Sequence, residues 1–524
     1  MKDLKSQPVP PYFLSYVITE SRTVSVGGSF GTLDSTSDNS ARMLDVDLRI
    51  GDYTLDNTHQ IRSDSFDFGA FDQFNLAMVP LENDEDVIRR ALWYQTDQRY
   101  KHAVESYTKV KTNVEVKVPM EDKSADFSQE QPAKFIQAPA VIHADRTQWE
   151  QKVRMYTAPF ARYPDIYGAN ASLDASAETR WYVNSEGSEI QTSNVYYRLF
   201  IYAMTKADDG MELPRYESFI SLTPEGLPDD ATVLKFVAKM IDDLHALRSA
   251  PVLDPYTGPA ILSGRASGVF FHEVFGHRIE GHRQKSENEA QTFKKMVNQK
   301  VLPDTFSVVS DPTLLHLAGT ALAGSYLYDD EGVKAQKVDV VSDGILKNFL
   351  MSRSPIEGFP HSNGHGRNQS GLPVVARQSN LIVTTSKPVS RDELKKMLLD
   401  EIKKSNKPFG LFFDDIEGGF TMTGRTVPNA FNVLPVMVYR VYPDGREELV
   451  RGADLIGTPL TTFSKILAAS NNTSVFNGIC GAESGLVPVS ASSPDILISQ
   501  IEVQKKEKSQ ERLPILPPPS GAHQ

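Results

Sequence analysis

Leu44-Asp45-Val46-Asp47-Leu48-Arg49-Ile50 alternates apolar and polar side chains without a miss. A period of two puts every second side chain on the same face, so the segment must be a strand with one apolar face to cover. Residues 12–19 and 23–30 read as its neighbours, separated by short polar turns. A helix follows, opened by Asn83 or Asp84 and carrying Val87, Ala91 and Leu92 on one side. Residues 118–139 are polar with scattered prolines and read as a connector. A helix is expected over 146–156, then a hairpin of 181–186 and 189–205 around Ser185-Glu186-Gly187. Val233, Val237, Met240, Ile241, Leu244 and Leu247 recur at the spacing of an amphipathic helix that ends before Pro251.

The second half is richer in strands. Residues 337–341 and 345–351 flank Ser342-Asp343-Gly344, a hairpin signal. Residues 380–384 and 433–442 also read as strands, the latter closed by the turn Pro443-Asp444-Gly445. Ser390-x-x-Glu393 is a capping box ahead of Leu394, Met397, Leu398 and Ile402. Strands and helices come in runs rather than in strict βαβ alternation, so the expected class is α+β. The expected division is an N-terminal α+β domain (1–250), a strand-rich C-terminal domain (251–505) and a proline-rich tail (506–524).

With a single cysteine, Cys480, in 524 residues, an intramolecular disulfide is excluded. The formal net charge of −12 argues against a non-specific nucleic-acid binder, which needs a basic face. No stretch of about 18 apolar residues is present, so no spanning helix is expected. The opening MKDLKSQPVPPYFL carries no apolar signal core, and a cytoplasmic location is expected, or a periplasmic one had a signal been removed.

The chemistry concentrates in Phe270-Phe271-His272-Glu273-Val274-Phe275-Gly276-His277, an H-E-x-x-x-H segment. The i, i+5 spacing separates the two imidazoles by about 140° on an ideal α-helix. One metal could hold both only across a π-type turn or a local break, and Gly276 is where such a distortion is tolerated. His272 and His277 are then metal ligands and Glu273 the general base acting on water. The plainer reading is two hydrogen-bonded histidines and an ordinary ion pair. A third ligand is required: Glu280, His282 and Cys480 compete for that place. Cys480 lies in Asn477-Gly478-Ile479-Cys480-Gly481, whose glycines suggest a thiol exposed on a flexible turn. A His2Cys set with one open position suits catalytic zinc, with ferrous iron the alternative. Asp329, Asp330 and Glu331 are a weaker candidate for a second cation. The loop 362–368 either presents backbone N–H groups to a substrate or is a mobile hairpin tip.

Taken together these blocks resemble the TldD/PmbA metallopeptidases. The similarity lies in 266–281, in Asp329-Asp330-Glu331-Gly332, in Ile416-Glu417-Gly418-Gly419-Phe420, in Arg451-Gly452-Ala453-Asp454-Leu455-Ile456-Gly457, and in Cys480-Gly481 with Gly485-Leu486-Val487-Pro488-Val489. It covers residues 260–500 well and 10–250 only in general character. The resemblance implies His272, His277 and Cys480 as metal ligands and Glu273 as the catalytic residue. It also implies the catalytic branch of the family, since a branch without the metal motif acts as partner subunit. Further implications are a peptide substrate, short or unfolded, and a homodimer or a heterodimer with a related chain. Ala482-Glu483-Ser484 departs from the family's lysine-containing stretch. Two rival readings stand beside this one: a non-catalytic partner subunit with a structural metal, and a cysteine hydrolase using Cys480.

Overall fold

The computed structural model describes residues 2–60, 77–116, 122–425, 431–458 and 462–506; the proline-rich tail from 507 lies outside them. The fold is mixed α+β. In its N-terminal half, the described residues form a seven-stranded sheet built around long strands. Pro11–Ser29 and Thr32–Ile50 make one antiparallel hairpin, followed outward by Ile166–Asn184, Glu189–Lys206 and Glu212–Ser221. The alternation at 44–50 behaves as expected, with Leu44, Val46 and Leu48 buried.

The polar turn expected between 12–19 and 23–30 is instead continuous strand. Its charges are absorbed across the ladder: Glu20 opposes and ion-pairs with Arg42, and Arg22 meets Asp38 at 2.8 Å. Polar residues on a wet face pair sideways without ending a strand. The helix after Asp84 runs Glu85–Val116, far longer than its apolar positions suggest. Asp84 Oδ1 caps it by accepting from the N–H groups of Asp86 and Val87.

Two further helices cover the sheet. Arg146–Thr157 is capped by Asp145. Asp230–Ser249 is capped by Asp229 and buries all six residues of the apolar stripe read from the sequence. The expected hairpin turn at 185–187 forms, with Asn184 Oδ1 accepting from the N–H groups of Glu186, Gly187 and Ser188.

From Tyr256 onward the chain builds a second sheet, eleven-stranded among the described residues. Five of its strands close into a ring: Tyr256–Leu262, Gly410–Thr421, Phe431–Val441, Ala453–Gly457 and Gly485–Lys505. The ring is sealed where Ile496 and Ile498 pair with Leu262 and Ala260. Closure leaves these strands without a free edge. Val338–Ser342 and Ile345–Leu346 form the expected hairpin, but its second strand stops at Leu346 rather than 351. Phe349, Leu350 and Met351 turn into the core instead. Helix Arg391–Lys404 is capped by Ser390, whose Oγ accepts from Glu393 N–H at 3.1 Å.

Ion pairs join the two halves. Arg215 reaches Asp243 on its own side and Asp415 across the boundary at 2.8 Å. Tyr216 donates its hydroxyl to the carbonyl of Ile416. Among the described residues, no helix is long and apolar enough to cross a membrane.

Candidate metal centre

Helix Gly264–Val274 leaves the barrel directly after Tyr256–Leu262 and carries His272 and Glu273 at its end. Ser263 caps it, and Val269, Phe270, Phe271 and Val274 bury its apolar face. It rides tightly on the last barrel strand: a Cβ on Gly268 would sit 2.7 Å from the carbonyl oxygen of Ala491.

The regular helix stops at Val274. Phe275 (φ −111°, ψ −51°) leads into a short 3-10 turn, Gly276–Ile279. This local break brings the two imidazoles together, with ring centroids 5.0 Å apart. The reason for glycine at 276 is space. A Cβ there would lie 1.9 Å from Gln378 Oε1, and Gln378 uses that closeness to donate from Nε2 to the carbonyl of His272 at 3.3 Å.

Cys480 is not on an exposed turn. It lies in strand Ile466–Ala482, opposite Val487, and is 6% exposed in a small apolar cluster with Val487 and Val489. Gly478 and Gly481 sit within the ladder, and the turn falls later, between Ala482 and Gly485. The thiol nevertheless reaches the histidines: Sγ is 3.4 Å from His277 Nε2. Ligand atoms of His272, His277 and Cys480 all lie within 4.8 Å of one another, and all three residues are buried.

Glu280 and His282 turn to other partners. Glu280 Oε2 faces His277 Nδ1 at 3.3 Å, on the ring edge away from Cys480. The same carboxylate accepts from Arg283 Nε at 2.8 Å and lies 3.6 Å from Arg377 Nε. His282 pairs with Glu483 at 2.5 Å, and Arg283 donates to the other Glu483 oxygen at 2.8 Å. Thus Glu483 ties the cysteine hairpin to the histidine segment. Arg377 adds a second tie by donating to the carbonyl of Cys480.

Burial pushes the Cys480 thiol up, but the charges of His277 and His272 outweigh it and hold the thiol well below its ordinary range. Burial pulls His277 down, yet Cys480 and Glu280 raise it overall. Burial alone would raise Glu280; His277 and Arg283 bring it down to about 2. Glu273 stands apart: burial raises its carboxyl against the pull of both histidines. Its Oε2 lies 3.9 Å from His277 Nε2. Strand Gly410–Thr421 makes room for it, since a Cβ on Gly419 would meet Glu273 Cγ at 2.8 Å.

The donor set fits a soft divalent metal. One thiol and two imidazoles converge, and the Nδ1 of His272 is buried with no hydrogen-bond partner, a state that costs free energy until a partner arrives. His277 Nδ1 is held by a carboxylate, the outer-shell arrangement of metal-binding histidines.

The acidic turn is structural. Asp329 accepts from the N–H groups of Glu331, Val333 and Gly366; Asp330 pairs with Arg180 and accepts from Asn368 N–H; Glu331 accepts from Arg353 N–H. The loop 362–368 is neither a mobile tip nor a free row of donors, because Gly366 and Asn368 give their N–H groups to those aspartates. Its His365 is fully buried between Ser310 Oγ at 3.0 Å and Asn363 Oδ1 at 3.1 Å, and burial pushes it down to about 4.

Residues 255–505 match the family model described as PmbA/TldA metallopeptidase C-terminal domain. A metalloprotease of Archaeoglobus fulgidus is 30% identical over 45% of this chain and 51% of its own length. The zinc metalloprotease TldD homologue of Saccharolobus solfataricus is 26% identical over 47% and 51%, and the metalloprotease TldD homologue of Haemophilus influenzae 27% over 47% and 48%. The chain thus spans about half the length of these relatives. Two solved structures share the fold across 94% of this chain. One is a Thermotoga maritima protein (TM-score 0.61, 15% identity, 96% of its chain), the other TldE from Thermococcus kodakarensis (TM-score 0.58, 13% identity, 97% of its chain).

Proposed function

The chain belongs, through residues 255–505, to the TldD/PmbA family, and from that premise we propose that it is a zinc-dependent metallopeptidase hydrolysing peptide bonds in short or unfolded peptides. The observation that carries the reading is the convergence of His272, His277 and Cys480 within 4.8 Å. Three buried donors from two distant segments meet there, one of them with an orphaned nitrogen.

His272, His277 and Cys480 would hold the metal. When bound, zinc supplies a Lewis acid that polarises the scissile carbonyl and lowers the pKa of the attacking water. Glu273 takes the proton from that water and delivers it to the leaving nitrogen. The position of Glu273 supports that role, with Oε2 3.9 Å from His277 Nε2 beside the converging donors. Glu280 fixes the His277 ring by accepting its Nδ1–H, which leaves Nε2 aimed at the site. A dimer, with itself or a related chain, and a cytoplasmic location complete the proposal.

The Cys480–His277 contact at 3.4 Å is also what a thiolate nucleophile and its base would show. A second imidazole with an unpartnered nitrogen has no place in that chemistry. The test is elemental analysis with a peptide-digestion assay. Glu273→Gln should keep the metal and lose turnover by about 10²–10⁴-fold, whereas His272→Ala should lose both. Inhibition by thiol alkylation of the metal-loaded form, with no effect of chelators, would establish the cysteine route instead. Bound metal without any cleavage would point to a partner subunit with a structural metal.

A further inference from the structure

Strand Gly410–Thr421 forms the wall against which the Glu273 side chain lies, and its ladder does not fix where that wall stands. Pairing with Phe431–Val441 shifts register three times, between Phe413 and Asp415, between Asp415 and Ile416, and between Ile416 and Gly418. Shifts of this kind bend a strand and interrupt its ladder. Gly418 and Gly419 follow in the chain and carry no side chain that could wedge the strand in place. Yet a Cβ on Gly419 would come within 2.8 Å of Glu273 Cγ and 3.4 Å of its Cδ. Any displacement of the strand therefore bears directly on the carboxyl.

What holds the irregular stretch comes from the other half of the chain. In strand Glu212–Ser221, Arg215, Tyr216 and Glu217 are buried in succession. Alternate residues of a strand face opposite sides, so both faces are covered at this point. Arg215 donates from Nη1 to Asp415 Oδ2 at 2.8 Å, and Tyr216 donates its hydroxyl to the carbonyl of Ile416 at 2.5 Å. The two contacts fall on the residues between which the register slips. Asp415 Oδ1 accepts from Ile416 N–H at 2.9 Å and lies 3.4 Å from Arg265 Nε. Arg265 belongs to the first turn of helix Gly264–Val274, and its Nη2 donates to the Tyr216 hydroxyl at 3.4 Å. One cluster thus grips both the wall strand and the start of the helix that ends in His272 and Glu273. The far end of the strand is tied by Arg278, which donates from Nη1 to Thr421 Oγ1 at 2.7 Å and to the carbonyl of Glu273 at 2.9 Å.

We infer that Tyr216 and Arg215 are positioning residues for Glu273: held on Ile416 and Asp415, they set where Gly419 stands and so where the carboxyl points. The inference rests on the peptidase reading and deepens it, since it makes the N-terminal half part of the catalytic geometry. A general base works only within hydrogen-bond reach of the proton it takes, and a misplacement of about 1 Å costs about 10²-fold in rate. The three metal-site donors are held elsewhere: His272 by Gln378, His277 by Glu280 and Cys480 by Arg377. Loosening the grip on the wall strand should therefore leave zinc in place and slow turnover alone.

The test is steady-state cleavage of a fluorescence-quenched unstructured peptide by the zinc-loaded full-length chain, with zinc content measured for each variant. Tyr216→Phe removes one hydroxyl and should lower kcat by about 10–10²-fold, while KM and zinc content stay at the parent values. Arg215→Lys keeps a cation beside Asp415 and should retain more turnover than Arg215→Met. The decisive measurement is a double-mutant cycle. Added to Glu273→Gln, Tyr216→Phe should change the residual turnover by less than about twofold, because the carboxyl it aims is already gone. An unchanged kcat in Tyr216→Phe, a fall in zinc content that accounts for the lost rate, or an equal loss with and without the Glu273 carboxyl would each overturn the inference and leave the peptidase reading standing. Absence of zinc-dependent cleavage by the parent would instead overturn the peptidase reading, and the inference with it. Should Arg215→Met fail to fold, Tyr216→Phe and its cycle still decide.

Discussion

Replacing Glu280 by glutamine keeps the shape of the side chain and removes one buried charge. In the parent, that carboxylate faces His277 Nδ1 at 3.3 Å, Arg283 Nε at 2.8 Å and Arg377 Nε at 3.6 Å, with no exposure to solvent. Holding a carboxyl from 4.5 down to about 2 corresponds to about 3 kcal/mol of differential interaction. Breaking a buried ion pair by removing one partner costs about 3–5 kcal/mol. Both routes give the same scale, so Glu280→Gln should lower the unfolding free energy of the metal-free chain by about 3 kcal/mol near neutral pH. The sign with pH follows from the depressed value. The carboxylate contributes fully above the unfolded pKa of 4.5 and loses its contribution as pH falls toward about 2, so parent and variant should converge in acid. Zinc affinity should fall by about 10–100-fold, the usual effect of losing the group behind a ligating histidine. Denaturant titrations followed by circular dichroism, run from about pH 7 to about pH 3, and competition with a chromogenic chelator measure both. A variant within about 1 kcal/mol of the parent, and with unchanged zinc affinity, would refute the assignment of Glu280 as the anchor of His277.

Cys480→Ser should lose zinc-dependent thermal stabilisation more completely than Glu280→Gln, as measured by melting with and without added zinc; the reverse order would make Glu280 the third ligand. His365 is buried in its neutral form and pushed from 6.5 down to about 4, so the unfolded chain takes up its proton first. Its contribution is present above pH 6.5 and should fall by about 3 kcal/mol as pH drops to about 4, a loss that His365→Asn should remove from the stability–pH curve. Gly276→Ala must displace Gln378 and should cost about 1–3 kcal/mol, the range for overpacking a filled core, together with a shift in metal affinity seen by the same chelator assay.

What the sequence discloses is local. The stripe from Val233 to Leu247 specifies a helix and its buried face at once, because one period encodes both. The caps at Asp84 and Ser390 are likewise readable within a few residues. The histidine spacing calls for a π-type turn or a local break if one metal is to hold both rings, with Gly276 the place that tolerates it, and the regular helix does stop just before that glycine. Non-local facts escape. Nothing near residue 20 shows that Arg42 and Asp38 neutralise Glu20 and Arg22, so a continuous strand reads as two. The helix Glu85–Val116 is largely solvated and lacks the apolar stripe that would mark its length. Cys480 reads as exposed because flanking glycines suggest a turn, whereas its burial depends on Val487 and Val489 across a hairpin. Glu280 is visible as an acid three residues beyond His277, but its partners Arg283 and Arg377 decide its role. Gln378 carries no signal at all, and Gly419 shows only as part of a block of resemblance, since each acts by touching the histidine segment from a part of the chain distant in sequence.

Closing the ring of strands must wait until Gly485–Lys505 has been synthesised. His277 and Cys480 lie 203 residues apart, and at about 5–20 residues per second a ribosome needs about 10–40 s to travel from one to the other. Throughout that interval Phe270, Phe271 and Phe275 have been made while the strand that covers them has not. The N-terminal sheet is complete before that interval begins: even its most separated partners, Pro11–Ser29 and Ile166–Asn184, are both made ahead of the histidine helix. The nascent chain therefore passes through a stage with a finished front half and an aromatic helix still in water. A chaperone that grips apolar segments would find its target there, and a ribosome stalled between the two residues would release a chain with an intact N-terminal sheet and no capacity to hold metal.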